Sequence, residues 1–508
     1  MATLNTNSYW IDSASLPQFP GLKRNLEVDV AIIGAGITGV TAAYLFKKAG
    51  YRVALVERGR CGGFDTTNTT AHLTCVTDVR LSDLASKFGK KAARNVWEGG
   101  MAAINQIEAI IAEEQIKCDF VRIPGYYHLG QPAKSPKETA LLQREAALAN
   151  ELGFSAEYRE SVAFMNLPGI EFAGQAKFHP LKYLAALLKT IPGNGGHVFE
   201  KAEVNEIESE VLAVKIGDYK IRCSYVMLAT HNPLMGKSNL ISAALFQTKL
   251  FLYTSYAIGA RIPKARAPEA SFWDTDNPYH YLRVDRQRGF DYAIFGGEDH
   301  KTGQQENTLQ SYQQLEKALL KRIPEAKIEH HWSGQVIETP DGLPFIGETA
   351  KSQFVATGFG GNGMTFGTLG AMMAVDSFLQ KANPWAKLFD VRRKHLLLGT
   401  GKYFKENKDY PVLVLKKWLK VEKHEPISKI KRDEGDVLEY HGQKVAVFRD
   451  KHGKLFLHSP VCPHMQCIVR WNGTEKTWDC PCHGSRFAAT GAVLSGPAET
   501  GLERIEGK

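Results

Sequence analysis

The chain has 508 residues, more than one hydrophobic core usually serves, so two or three domains are expected. Apolar residues make up 44% and charged residues 23%, an ordinary globular balance that excludes a disordered or fibrous chain. The net charge of +9 is spread out, with a modest concentration in KKWLKVEKHEPISKIKR; it reads as a solvated basic surface or, more weakly, a dock for an acidic redox partner, and no nucleic-acid motif accompanies it.

No window approaches the roughly 18 apolar residues of a membrane span, and the start lacks the basic-then-apolar layout of a signal peptide. A protein without a membrane span, in the cytoplasm, is therefore expected. After an N-terminal extension over 1–24, the run Val28 to Ile33 predicts a strand, a glycine turn follows, then a helix-period segment ending at Gly50 and a second strand from Arg52 to Val56. Such a β-α-β unit predicts a parallel sheet. Gly34, Gly36 and Gly39 fit G-x-G-x-x-G: the first permits a tight turn, the second lets a pyrophosphate approach the backbone, the third lets helix and strand pack closely. The helix start offers free N–H groups to phosphates. Glu57 ends the second strand about 20 residues on, where a carboxylate takes ribose hydroxyls, and Arg58 beside it is assigned to the same site. A ligand-free turn uses the same glycines, but strand, helix and acid together favour a dinucleotide.

Helical stretches follow near AAINQIEAIIAEEQ and LKYLAALLKTI, and strand-rich ones at KIRCSYVMLAT, KLFLYTSYAIGARI and FDYAIFGGED. The mixture predicts a nucleotide-binding domain interleaved with an antiparallel sheet. TPDGLPFIG and VATGFGGNGMTFGTLGAMMAVD then give a strand, a glycine turn and a helix. A helix start carrying Gly360, Gly361, Gly363 and Met364 suits the pyrimidine edge of a flavin, whose reduction collects negative charge there; a structural turn is the other reading. That pattern ends near 390, a connection runs over 391–420, and short alternating strands over 421–508 predict a small all-β module. Of eight cysteines, Cys61, Cys75, Cys118 and Cys223 read as plain buried thiols. The other four accompany two histidines. Cys462-x-His464 and, after fifteen intervening residues, Cys480-x-x-His483 offer two thiolates and two imidazoles, a set zinc commonly takes; Cys467 and Cys482 stand at matching offsets, where zinc has no use for them.

Over about residues 25 to 380 the chain resembles the D-amino-acid oxidase superfamily of FAD-dependent amine oxidases and dehydrogenases. The resembling pieces are AIIGAGITGVTAAYLFKKAG, VALVERG, FHPLKYLAALL, AEVNEIE, YVMLATHNP, TPDGLPFIG and GFGGNGMTFGTLGA. The resemblance implies that the first glycine loop and Glu57 hold the ADP half of FAD, that Val204 meets the adenine by its backbone, and that the loop over 358–365 faces the isoalloxazine. His231 departs from the glycine common after LAT. The family moves hydride from the carbon beside nitrogen to flavin, chemistry that needs orientation more than a strong base. His72, in TTNTTAHLTC, lies where relatives pass the flavin and is a candidate active-site or flavin-linking residue, with a structural histidine as the other reading. Arg283, in YHYLRVD, resembles a position near substrate and would receive a carboxylate bidentately; a surface strand arginine reads equally well. Tyr279 and Tyr281 choose no substrate.

C-x-H-x-x-C with C-P-C-H-G-S, framed by GQKVAVFRD and SGPA, resembles the Rieske iron–sulfur domain. That implies Cys462 and Cys480 on one iron, His464 and His483 on the other, and a Cys467–Cys482 disulfide joining the two loops. Ser485 matches a donor to bridging sulfide in the cytochrome bc proteins, but Phe487 stands where they carry a sulfur-bonding tyrosine, so a lower potential is expected. The combined expectation is a Rossmann-type α/β FAD-binding domain with an interleaved antiparallel-sheet substrate domain, D-amino-acid-oxidase-like, over 25–390, plus a C-terminal all-β Rieske domain. Its cofactors are FAD and a [2Fe-2S] cluster. It would oxidise an amine or amino acid and pass electrons through the cluster to a one-electron acceptor protein, an acidic ferredoxin-like one among the candidates. Two alternatives stay open: inward flow from such a donor to a flavin reductase or monooxygenase, and a cluster that is a redox sensor or cap on an O2-using oxidase.

Overall fold

The computed structural model describes residues 4–130, 136–233, 249–393, 406 and 426–505. The VAII strand Val30–Ile33 is buried throughout because it lies inside a six-stranded sheet. From one edge the strands run Phe345–Ala350, Gln353–Thr357, Tyr225–Leu228, Val30–Ile33, Val53–Val56 and Gly196–Phe199. All pairs are parallel except the first, as the β-α-β pattern predicts. Two helices, Ile37–Lys48 and Gly363–Phe378, cross closely over this sheet at glycine: an added Cβ on Gly367 would lie 2.5 Å from Thr38 Oγ1.

The interleaved domain is a nine-stranded sheet built on three long strands, Phe251–Ile262, Asp291–Lys301 and Lys327–Glu338. The antiparallel expectation holds for these but not throughout, since Ser271–Asp274 pairs parallel with Val121–His128. Helix Thr308–Arg322 covers one face, burying Tyr312, Leu315 and Leu319 against Ile258 and Phe295. The expected N-terminal extension is packed into this body: Trp10 is fully buried, its Nε1 donates to Thr69 O at 2.6 Å, and His331 N donates to Asn5 O at 2.8 Å. Arg393, expected at the start of the connection, is also buried, pairing with both oxygens of Asp341 and stacking on Phe345. Apart from 391–393 and Glu406, the 391–420 connection lies outside the described residues. Of the four scattered cysteines, Cys61, Cys75 and Cys118 are buried, whereas Cys223 is only half-buried.

The C-terminal module is all-β. Its three-stranded sheet comprises Glu434–Tyr440, Gln443–Arg449 and Leu455–His458; its four-stranded sheet comprises Arg470–Asn472, Thr477–Asp479, Arg486–Ala488 and Val493–Ser495. Between them Phe448, Trp478 and Phe487 pack around Cys462 and Cys480. The module docks on the long strands of the first domain. Gly303 and Gly484 make the approach possible: a Cβ on the first would lie 2.7 Å from the Cys480 carbonyl carbon, and on the second 2.6 Å from Leu252 Cβ. Gln304 Nε2 donates to Pro481 O at 3.1 Å, and Thr308 Oγ1 to Asn472 Oδ1 at 2.9 Å. Among the described residues no helix is long and apolar enough to cross a membrane.

Candidate active site and metal centre

The glycine loop is shaped as its sequence requires. Gly34 has φ 98° and its backbone abuts Ala229, while a Cβ on Gly39 would fall 1.8 Å from Gly34 O. Glu57 accepts from Ala35 N at 2.9 Å and Gly59 N at 2.8 Å, and Thr66 Oγ1 from Ile37 N at 3.1 Å. These residues open onto a cavity of about 1170 Å³ lined also by Arg58, Val204, Gly360, Gly361, Gly363 and Met364. Gly36 lines it as well, whereas Gly39 does not: its role is the helix–strand contact. Gly361 N donates to Asp78 Oδ2 at 2.9 Å, and Asn362 Nδ2 to Val76 O at 3.0 Å, which fixes the second glycine turn at the head of its helix.

The cavity fits a flavin dinucleotide. Two helix starts open on it, and it holds buried polar atoms with no hydrogen-bond partner among the described residues, Asp65 Oδ1, His72 Nε2 and both Asn232 side-chain atoms, while His231 Nε2 faces Asp65 Oδ2 at 3.7 Å. His231 adopts φ 58°, the left-handed conformation that explains why glycine is common there. His72 lines the cavity, with Nδ1 2.9 Å from Ser271 Oγ. Burial, helped by the nearby Arg283 charge, pushes its pKa down to about 3, so it is neutral. Tyr279 and Tyr281 line the same space, and Tyr281 Oη meets Ser255 Oγ at 2.9 Å.

Arg283 is not available to a substrate carboxylate. All five of its N–H donors are spent inside the protein: two on Asp285, one on Phe178 O, and two on Thr70 O and Ala71 O. Its guanidinium also lies over Trp10, 5.1 Å from the ring centroid. The arginine therefore ties together the chain segments around the cavity, and neither the substrate-binding nor the surface-strand reading describes it.

The expected metal ligands sit on two loops of one design. Cys462 N donates to Cys467 O and Cys480 N to Ser485 O, each at 2.8 Å. Four residues after each cysteine, Gln466 (φ 62°) and Gly484 (φ 75°) turn left-handed and donate back to the cysteine carbonyl. Cys467 and Cys482 form the disulfide that joins the loops. Their sulfurs and that of Cys480 lie within 4.8 Å of one another, but a disulfide is a poor ligand, so the donor set is the remaining thiols and imidazoles. Cys480 hydrogen-bonds Cys462 and, against burial and with help from the His464 amide and Ser485, holds its thiol below the ordinary value. The imidazoles of His464 and His483 lie with centroids 5.0 Å apart, held neutral by burial with pKa values of about 4 and about 3. The hydrogen bond to Cys462 and burial push the neighbouring Cys480 thiol up, so the pair shares a proton until a metal displaces it. Two adjacent buried thiols and two neutral imidazoles fit a Cys2His2 [2Fe-2S] cluster.

The family model for FAD dependent oxidoreductase matches residues 29–377, and that for the Rieske [2Fe-2S] domain matches residues 417–506. The chain belongs to the FAD-dependent oxidoreductase family. This oxidoreductase carries its Rieske domain at the C-terminal end, and both cofactors, FAD and a [2Fe-2S] cluster, follow from those domains. It is 32% identical to the Rieske 2Fe-2S iron-sulfur protein YhfW of Bacillus subtilis over 98% of this chain and 97% of that one. It is 24% identical to gamma-glutamylputrescine oxidoreductase of Escherichia coli over 72% of this chain and 86% of that one. Glycine oxidase from Geobacillus kaustophilus shares the fold of the first domain, with a TM-score of 0.59 at 17% identity over 73% of this chain and 99% of that one.

Three features of this FAD-dependent oxidoreductase escaped sequence reasoning. Asp78 holds the second glycine turn from 283 residues away. Gln335 Nε2, at a buried position lining the cavity, donates to Gly484 O at 2.8 Å, across the seam between the domains. The cavity wall also includes Ala492 to Gly501 of the Rieske domain. None of these carries a local motif; only SGPA, within the last segment, was singled out, and for the cluster alone.

Proposed function

We propose that this oxidoreductase removes hydride from the carbon beside nitrogen in an amine or amino acid and that the electrons leave singly, through the Rieske cluster, to an external one-electron acceptor protein. Bound flavin supplies a two-electron acceptor and the cluster a one-electron carrier. The substrate loses two electrons and two protons in becoming an imine, and two equivalents of acceptor are reduced. Gln335 is the observation that carries the reading. Its side chain reaches from the flavin cavity to the carbonyl of Gly484, the residue after the cluster ligand His483, and Nε2 also lies 3.3 Å from Thr302 Oγ1. A covalent and hydrogen-bonded path thus joins cavity and cluster.

The nitrogen-bearing substrates named for the Escherichia coli relative and for glycine oxidase support the amine class. A basic surface, at a net charge of +9, suits an acidic acceptor such as a ferredoxin-like protein. The test is anaerobic mixing of cluster-loaded protein with amino acids, N-methyl amines and polyamine conjugates, following flavin absorbance and the low-temperature EPR signal of the reduced cluster. One compound should bleach the flavin before the cluster signal rises. Reduction of the flavin only by a reduced ferredoxin, with the cluster filling first, would reverse the direction. Unchanged turnover in His483→Ala would leave the cluster a sensor or cap.

A further inference from the structure

We infer that the Rieske domain supplies one wall of the FAD site, so that the dinucleotide enters and leaves only when the segment 492–501 swings away. Three observations on that segment converge. It lines the same cavity as the glycine loop. Arg58, next to Glu57 at the end of the second Rossmann strand, donates from Nη2 to Leu494 O at 2.8 Å. A Cβ added to Gly496 would lie 3.5 Å from Asn232 Cβ, so the two chains touch at that corner.

The corner is unfinished without a ligand. Asn232 is only 6% exposed, and its Nδ2 and Oδ1 have no hydrogen-bond partner among the described residues; Asp65 Oδ1, which also lines the cavity, shares that condition. Buried donors and acceptors are nearly always matched, so these atoms mark the place of a polar ligand group between the two domains. FAD, which the same cavity serves, supplies such groups.

On its other side the segment is tied to the cluster loop. Ala498 N donates to Ser485 Oγ at 2.9 Å, and Ser485 supports Cys462. Occupancy of FAD and docking of the cluster domain must then favour each other, since whatever binds only the closed form stabilises it. The inference holds whichever way electrons run and whatever the substrate is.

The Asn232 and Gly496 positions provide the test, because a Cβ separation of 3.5 Å falls within the disulfide range. The double variant Asn232→Cys, Gly496→Cys is prepared flavin-free by riboflavin starvation, oxidised, and offered FAD while flavin fluorescence quenching is followed. Oxidation should abolish FAD uptake, and reduction with a phosphine should restore it to the level of the same double variant that was never oxidised. A cross-linked protein that takes up FAD as fast as its reduced form would overturn the inference, as would failure of the cysteines to cross-link in folded protein. If the double variant does not fold, amide hydrogen exchange of the unaltered chain decides: FAD should protect 492–501 together with the glycine loop, and protection of the loop alone would refute the wall.

Discussion

Asp299, behind the cavity-lining Ser255, is raised by burial from 3.8 to about 7, with the charges of Asp78 and Glu338 adding to the shift and a hydrogen bond to Ser255 opposing it. The folded protein therefore prefers this acid protonated. Its contribution to stability is complete below pH 3.8 and is lost as pH rises through about 7, by at most about 1.4 kcal/mol per pH unit. Asp299→Asn should thus melt above the parent at pH 8, with the gap shrinking toward pH 4; a gap that widens on acidification would contradict the assignment. Arg283 makes the second residue-scale prediction. Removing it leaves the buried Asp285 with Lys177 alone and three backbone carbonyls without their donor, so Arg283→Met should cost roughly 3–5 kcal/mol and lower the melting temperature without a selective rise in KM for carboxylate-bearing substrates. Phe487 is fully buried in the core that holds Cys462 and Cys480 and brings no donor to sulfur. Phe487→Tyr should raise the cluster's reduction potential in an EPR-monitored redox titration; a potential unchanged or lowered would mean that the new hydroxyl finds no sulfur.

At the scale of elements, the docking of one domain on the other runs through a glycine. Gly303 takes φ 78° and stands 2.7 Å, at an added Cβ, from the Cys480 carbonyl carbon. Gly303→Ala should therefore push the Rieske domain off its seat and, in protein kept saturated with FAD, slow flavin-to-cluster transfer while the EPR signal of the reduced cluster keeps its shape. Elements such as this strand end show where sequence reasoning reaches. The Rossmann unit was legible because strand, glycine turn, helix and acid lie within thirty residues, and the cluster ligands because Cys462, His464, Cys480 and His483 lie within two short loops. Arg283 was misread because a strand position says nothing of the carbonyls that two distant segments, 70–71 and 178, turn toward it. The one parallel pair in the large sheet escaped for the same reason: pairing partners 271–274 and 121–128 are far apart in sequence.

For the whole molecule, the proposed function depends on a seam that no local pattern encodes. Gln335 meets Gly484 across 149 residues and Arg58 meets Leu494 across 436, so flavin cavity and cluster become one site only through tertiary docking. Under the proposed relay, fusion on one chain makes the transfer intramolecular, independent of how often two molecules collide. The most direct measurement is photoreduction of the bound flavin by a light flash in the presence of EDTA, anaerobically, with the cluster followed by absorbance and freeze-quench EPR at several protein concentrations. Intramolecular relay predicts a cluster signal that rises as flavin reoxidises, at a rate independent of protein concentration and slower in Gly303→Ala. A rate proportional to protein concentration, or a reduced flavin that never discharges into the oxidised cluster, would contradict it.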